Sequence, residues 1–157
     1  PSGGGTVTLN PEADASIECE ENPNTNYDVV EMTASGDDAW TILMRYDLSG
    51  VSSVSSATLR MYVSKNWYQN RFNQLVFFVA NDTWGETSVT CNTAPAIGEQ
   101  LASNNGSGEN VWVEFDVTAK VNAEKGGKIT FALQDSNGQW KIHSRENTNK
   151  PEMVIVQ

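Results

Sequence analysis

Along the chain, apolar and polar residues exchange places at every second position in a series of short runs. From Trp40 to Asp47, Ile42, Met44 and Tyr46 alternate with Thr41, Leu43, Arg45 and Asp47. From Thr58 to Ser64, Leu59, Met61 and Val63 alternate with Thr58, Arg60, Tyr62 and Ser64. A period of two marks a strand with one packed face and one wet face. In both runs an arginine, Arg45 or Arg60, lies opposite the core set. Val111, Val113, Phe115 and Val117 alternate inward in the same way, as do Ile129, Phe131 and Leu133. Ala13, Ala15, Ile17 and Cys19 share one side of a further run. Shorter β-rich runs occupy 6–10, 29–35, 75–80, 140–147 and 152–157.

Polar segments rich in Asn, Gly, Ser and Pro separate these runs, at 20–28, 36–38, 48–57, 65–74 and 136–139. The stretch 81–103 reads as mostly irregular. TAKVNAEKGG, residues 118–127, predicts one or two helical turns stopped by Gly126 and Gly127. Short strands, almost no helix and no internal repeat predict an all-β fold. The expected architecture is a two-sheet antiparallel β-sandwich of jelly-roll type. The pattern does not specify strand order. Residues 1–5 (PSGGG) read as a linker remnant, and 6–157 as one module of a longer polypeptide.

A chain of 157 residues suits one domain with a sizeable core. No run approaches the roughly 18 apolar residues of a membrane-spanning helix, so no membrane partner is expected. The net charge of −10 argues against nucleic acid, which calls for a basic face. It does not forbid a local basic patch, because charges are screened beyond about 8 Å at physiological salt. Cys19 and Cys91 belong to no CxxC pair or Cys/His cluster, which argues against zinc. Their spacing fits a disulfide or two buried thiols equally well.

Catalytic signals are sparse. His143 is the chain's one histidine, and a strand over WKIHSREN would put Lys141, His143 and Arg145 on one face at i, i+2 and i+4. Such a trio could serve a small lyase; a binding or structural strand is the preferred reading. There is no GxSxG motif and no carboxylate pair that stands out. Oxygen ligands for a hard cation are plentiful in Glu12, Asp14, Glu20, Glu21, Asn22, Asp28, Asp37 and Asp38. No EF-hand loop organises them, so a structural Ca²⁺ is compatible with the chain but its ligands are not assignable.

Several segments together resemble the DNRLRE-type domain, the group classed as carbohydrate-binding module family 96. They are ADASI, NPNTNY, MRYDLSGV, SSATLRMYV, the NDTWGETSVTCNTAP block, VEFDVTAKV and SRENTNKPEMVIV, in the family's order over about 6–156. Cys91 stands where members usually carry Trp, Cys19 where a polar residue is usual, and Asp28 where Gly commonly follows NTNY. The departures at two cysteines tilt the reading toward a disulfide. The resemblance implies a secreted, non-catalytic β-sandwich joined to a polysaccharide-degrading catalytic domain, such as an alginate lyase, in the same polypeptide. It also implies an acidic polysaccharide, alginate above all, as ligand.

A polyuronate carries one carboxylate per sugar. Arginine matches a carboxylate with two parallel hydrogen bonds, lysine adds a point charge, and Trp or Tyr stacks on a ring face. The candidate ligand-binding residues are therefore Arg45, Arg60, Lys65, Trp67, Arg71, Lys141, His143 and Arg145, expected to converge on one sheet face. Competing readings have Arg45 and Arg60 pairing with Glu18, Asp47 or Glu114, and Arg145 bracing a loop through Glu146. Two other functions remain open: neutral-glycan binding on Trp67, Tyr68 and Trp140, and a structural spacer or adhesion domain without a ligand.

Overall fold

A computed structural model describes residues 5–36 and 39–157. Among them, eleven strands and one short helix build two antiparallel sheets packed face to face, the sandwich expected from the alternation. One sheet runs β1 (Thr6–Leu9), β11 (Glu152–Val156), β5 (Ser56–Asn66), β10 (Gln139–His143) and β3 (Glu31–Ser35), with β8 (Val111–Asp116) also paired to β5. The other runs β2 (Ala13–Glu18), β4 (Trp40–Asp47), β9 (Lys128–Asp135), β6 (Gln74–Val79) and β7 (Gln100–Ser103). The helix α1 (Thr118–Glu124) buries Val121 against the core.

β5 is the spine of the six-stranded sheet. β8 pairs along Thr58–Val63 on one edge. The opposite edge is shared: β11 takes Ser56–Arg60 and β10 takes Val63–Asn66. The chain between them, residues 144–151, therefore leaves the sheet. Ala57, Leu59, Met61 and Val63 point inward, as their spacing predicts, and meet Ile42, Met44, Tyr46 and Phe131 from the facing sheet. Trp140 is fully buried in the same core, so it cannot serve the stacking platform considered above.

The alternation breaks where β5 passes β10. Lys65 pairs with Lys141 and Val63 with Ile142, which leaves Ser64 as the extra residue of a β-bulge. A bulge inserts one residue and reverses the inward–outward parity beyond it. Strict alternation from Val63 would bury Lys65 and expose Asn66; instead Lys65 is exposed and Asn66 is buried.

The outer face of the five-stranded sheet is roofed by residues 80–99, between β6 and β7. Trp84 and Val89 from this segment pack on Ala13, Ala15, Ile17, Leu43, Val79 and Ala132 as a second apolar cluster. That cover explains why Ile129 to Leu133 are all buried although the sequence alternates. A disulfide between Cys19 and Cys91 fastens the roof to the end of β2, resolving the two readings of the cysteines. The strand β7 emerges from the stretch read as irregular.

Candidate functional site

The expected convergence of all eight residues does not occur. Arg45 lies on β4 and Arg60 on β5, so each faces outward from a different sheet and the two stand on opposite surfaces of the sandwich. Alternation reports which residues face away from the core but not which sheet they belong to. Arg45 is held beneath the roof. It pairs with Glu12, its Nη1 donates to the carbonyls of Asp82 (3.0 Å) and Trp84 (2.5 Å), and its guanidinium lies 4.9 Å from the Trp84 ring. Its side chain is only 14% exposed. This is a clamp that holds residues 80–99 down.

Arg145 leaves the group as well. β10 ends at His143, so the expected row of Lys141, His143 and Arg145 is cut short. Arg145 sits in the 144–151 loop and donates from Nε and Nη2 to both oxygens of Glu86, at 2.5 and 2.9 Å. It also approaches Glu146 at 3.4 Å, the loop-bracing alternative.

The outer face of the six-stranded sheet is different. Its side chains keep contact with solvent, and it carries Lys65, Lys141, His143, Arg60, Tyr62 and Trp112. The bulge at Ser64 sets Lys65 directly across from Lys141. Their ammonium groups lie 5.8 and 6.0 Å from the ring centre of Trp67, which is 48% exposed. Lys65 also pairs with Glu109 at 3.2 Å; Lys141 has no ion-pair partner among the described residues. The hydrogen bond from the Asn66 amide, then the contact with Lys65, hold the Glu109 carboxyl below the usual range.

Trp67 is held by a braced turn. Buried Asn66 accepts from the Tyr68 amide at 3.1 Å and donates to the Ser107 carbonyl at 2.8 Å. Asn70 donates its amide to the same carbonyl at 3.0 Å. Gly106, at φ 96°, comes so close to Asn70 that a Cβ there would lie 2.9 Å from its Cα. A side chain at 106 would push the turn away. Arg71 stands exposed in that turn, its guanidinium 5.2 Å from the Phe72 ring.

Farther along the sheet the His143 ring packs on Tyr62 at 4.8 Å, and Tyr62 meets Trp112 edge-on at 5.7 Å. Arg60 lies 4.6 Å over Trp112 and is paired on both sides, with Glu114 (2.8 Å) and Glu152 (2.5 Å). Its charge is thus already neutralised, with Glu114 the partner expected from sequence. Tyr62 is a member of this face that was not singled out, although it shares Arg60's parity on β5. The face as a whole is a row of rings with a basic end at Trp67 and a neutralised end at Trp112.

Among the sequence's oxygen donors, Glu12 is taken by Arg45 and Lys128, and the amides of residues 20–22 bind Glu18. Asp37 and Asp38 lie outside the described residues. Asp14 and Asp28 do come together, with Glu86 and Glu146.

The two-layer sandwich thus displays an open row of aromatic rings on one sheet face. The sequence model of carbohydrate-binding module family 96 matches residues 5–157, nearly the whole chain. The chain belongs to that family and is a non-catalytic module that binds polysaccharide. Among curated proteins it is similar to the tRNA nuclease WapA of Bacillus subtilis, with 30% identity over 111 residues, 66% of this chain and 5% of that protein. The tRNA3(Ser)-specific nuclease WapA of Bacillus spizizenii shows 31% identity over 114 residues, with the same shares of 66% and 5%. The chain therefore spans about 5% of the length of these relatives, and the nuclease activity in their names is theirs.

Among solved structures, a xylan-binding module CBM15 is similar at a TM-score of 0.49 and 12% identity, covering 98% of this chain and 97% of that one. The C-terminal CBM6 of LamC, a marine laminarinase from Zobellia galactanivorans, is similar at a TM-score of 0.37 and 12% identity, covering 98% and 100%. At those scores neither likeness bears on the ligand.

Proposed function

We propose that this module binds an acidic polysaccharide of the alginate type on the outer face of the six-stranded sheet. On this reading it is secreted and holds a catalytic domain of the same polypeptide, such as a lyase, near its substrate. The observation that supports it is the cross-strand pair of Lys65 and Lys141 flanking exposed Trp67. A sugar ring stacks on the indole, and two ammonium groups stand where the carboxylates of neighbouring sugars pass. Tyr62, His143 and Trp112 extend the track along the sheet. Attachment raises the local concentration of substrate, so modest affinity is enough.

A second reading rests on the other end of the face. Arg60 is already neutralised by Glu114 and Glu152, so the stretch around Tyr62 and Trp112 would suit an uncharged glycan. Titration calorimetry against alginate, pectate, chondroitin and a neutral β-glucan, at about 0.05 and 0.5 M salt, separates the two. The acidic reading expects alginate binding that weakens with salt and is lost in Trp67→Ala. Salt-independent binding of the β-glucan alone supports the second. Alginate binding that survives both Trp67→Ala and the double change Lys65→Ala/Lys141→Ala overturns the proposed face.

A further inference from the structure

Away from that face, four carboxylates from four separate segments meet beside the edge strand β2. They are Asp14 on β2, Asp28 in the loop before β3, Glu86 in the roof and Glu146 in the 144–151 loop. One oxygen of each lies within 4.8 Å of one oxygen of every other. Arg145 is the cation among them: its guanidinium binds Glu86 and approaches Glu146, and its amide donates to Asp14 Oδ2 at 2.7 Å. The Asp14 amide donates to Glu86 Oε1 at 2.9 Å, and Ser144 Oγ to Glu146 Oε1 at 2.9 Å. One guanidinium faces four carboxylates.

The cluster has a second peculiarity. Asp14 is 0% exposed, yet its Oδ1 has no hydrogen-bond donor. Asp28 Oδ1 is also buried without a donor. Burying a carboxylate oxygen with nothing to satisfy it is costly, so natural proteins pair such atoms or give them to a metal.

We infer that Asp14, Asp28, Glu86 and Glu146 form a binding site for one Ca²⁺, which ties β2 to the roof and to the loops before β3 and after β10. The donors are all hard oxygens, the set that suits Ca²⁺ or Mg²⁺ rather than zinc or copper. Size separates those two. With Ca–O distances of 2.3–2.6 Å, ligands on opposite sides of the ion stand up to about 5 Å apart; for Mg²⁺ the limit is about 4.2 Å. The four oxygens all lie within 4.8 Å of one another, inside the span that a Ca²⁺ shell allows. Backbone carbonyls or water would complete its six to eight oxygens. The competing occupant is a proton, since burial, then nearby Glu146 and Glu86, push Asp14 up to about 8 against the hydrogen bond from the Arg145 amide. The site is independent of the glycan, and its test involves none.

The test is titration calorimetry of the EDTA-treated, dialysed 157-residue chain with CaCl₂ and with MgCl₂, alongside thermal melts in each. One Ca²⁺ per chain is expected. With Ca²⁺ at about 100 times its Kd the melting temperature should rise by roughly 5–10 °C, and Mg²⁺ should fail to substitute. Asp28→Asn and Glu146→Gln should each weaken Ca²⁺ binding at least tenfold. Glu146 is exposed, so that variant should keep its fold, and circular dichroism verifies it. Absence of Ca²⁺ binding with identical melts in Ca²⁺ and EDTA would leave a proton as the occupant and overturn the inference. Ca²⁺ binding unchanged in folded Glu146→Gln and Asp28→Asn would overturn it equally.

Discussion

Replacing Lys141 with alanine tests the basic end of the proposed binding face most cleanly. Its ammonium has no ion-pair partner among the described residues, so the change strips charge from the proposed site without breaking a salt bridge. An exposed ammonium–carboxylate contact contributes about 0.2–1 kcal/mol. If alginate is the ligand as proposed, loss of one such contact should weaken its binding by about 1.4- to 5-fold. Lys65→Ala should cost less, because Lys65 must share or leave Glu109, 3.2 Å away, to reach a ligand. Removing both should weaken binding by up to about 30-fold at low salt. Near 1 M salt the screening length falls to about 3 Å, and the variants should converge on the wild-type affinity. Calorimetry across a salt series reads this directly. Wild-type affinity in Lys141→Ala at low salt refutes the reasoning, as does a deficit that persists unchanged at high salt.

Three more outcomes follow from the geometry. Arg45→Ala should destabilise the fold by about 1–3 kcal/mol in denaturant melts, because two roof carbonyls lose their donor and Glu12 keeps only Lys128, while the folded variant binds glycan normally; weakened binding would return Arg45 to the proposed ligand site. Cys19→Ser/Cys91→Ser opens a cross-link between residues 72 apart, worth about 4 kcal/mol on the chain-entropy account, so the melting temperature should drop by roughly 8–16 °C; equal melts with and without the disulfide would contradict this. For pH, Asp14 faces Glu86, Glu146, Asp28, Arg145 and the buried Tyr46, and in metal-free protein it is raised from its ordinary 3.8 to about 8. The folded state then holds the proton more tightly, so its contribution is complete below pH 3.8 and is lost as pH rises through about 8. Melts in EDTA should fall from pH 5 to 9 and flatten in Asp14→Asn; a rise over that range would contradict the assignment.

The strands with one packed face were readable because a period of two directly records burial, as at Leu59, Met61 and Val63 or Val113 and Phe115. β7 was not, since Gln100–Ser103 is a short, partly exposed edge strand with little apolar signal. Val111 failed at the opposite limit: it keeps the inward spacing but ends its strand 40% exposed. The site was only half legible. Trp67, Lys65 and Lys141 were named, but what joins them is a bulge, and nothing in the residue types at 63–66 announces one. Arg45 and Arg60 looked equivalent because both oppose a core set; their separation onto two sheets is a property of long-range pairing. Asp14 and Glu146 are far apart in sequence, and only the folded chain brings their oxygens within 4.8 Å of each other.

Ser64 has a consequence for how such a surface can change. Because it is one residue out of step, strand pairing as well as residue type governs what this part of the molecule shows to solvent. Were the same residues paired in unbroken alternation, Lys65 would turn toward the interior and Asn66 outward, erasing half of the charge pair with every amino acid type intact; deleting Ser64 would instead leave Lys65 across from Lys141 in a regular strand. A related sandwich could thus hide one lysine of the pair by closing the bulge, and a comparison by residue identity alone would overlook the change.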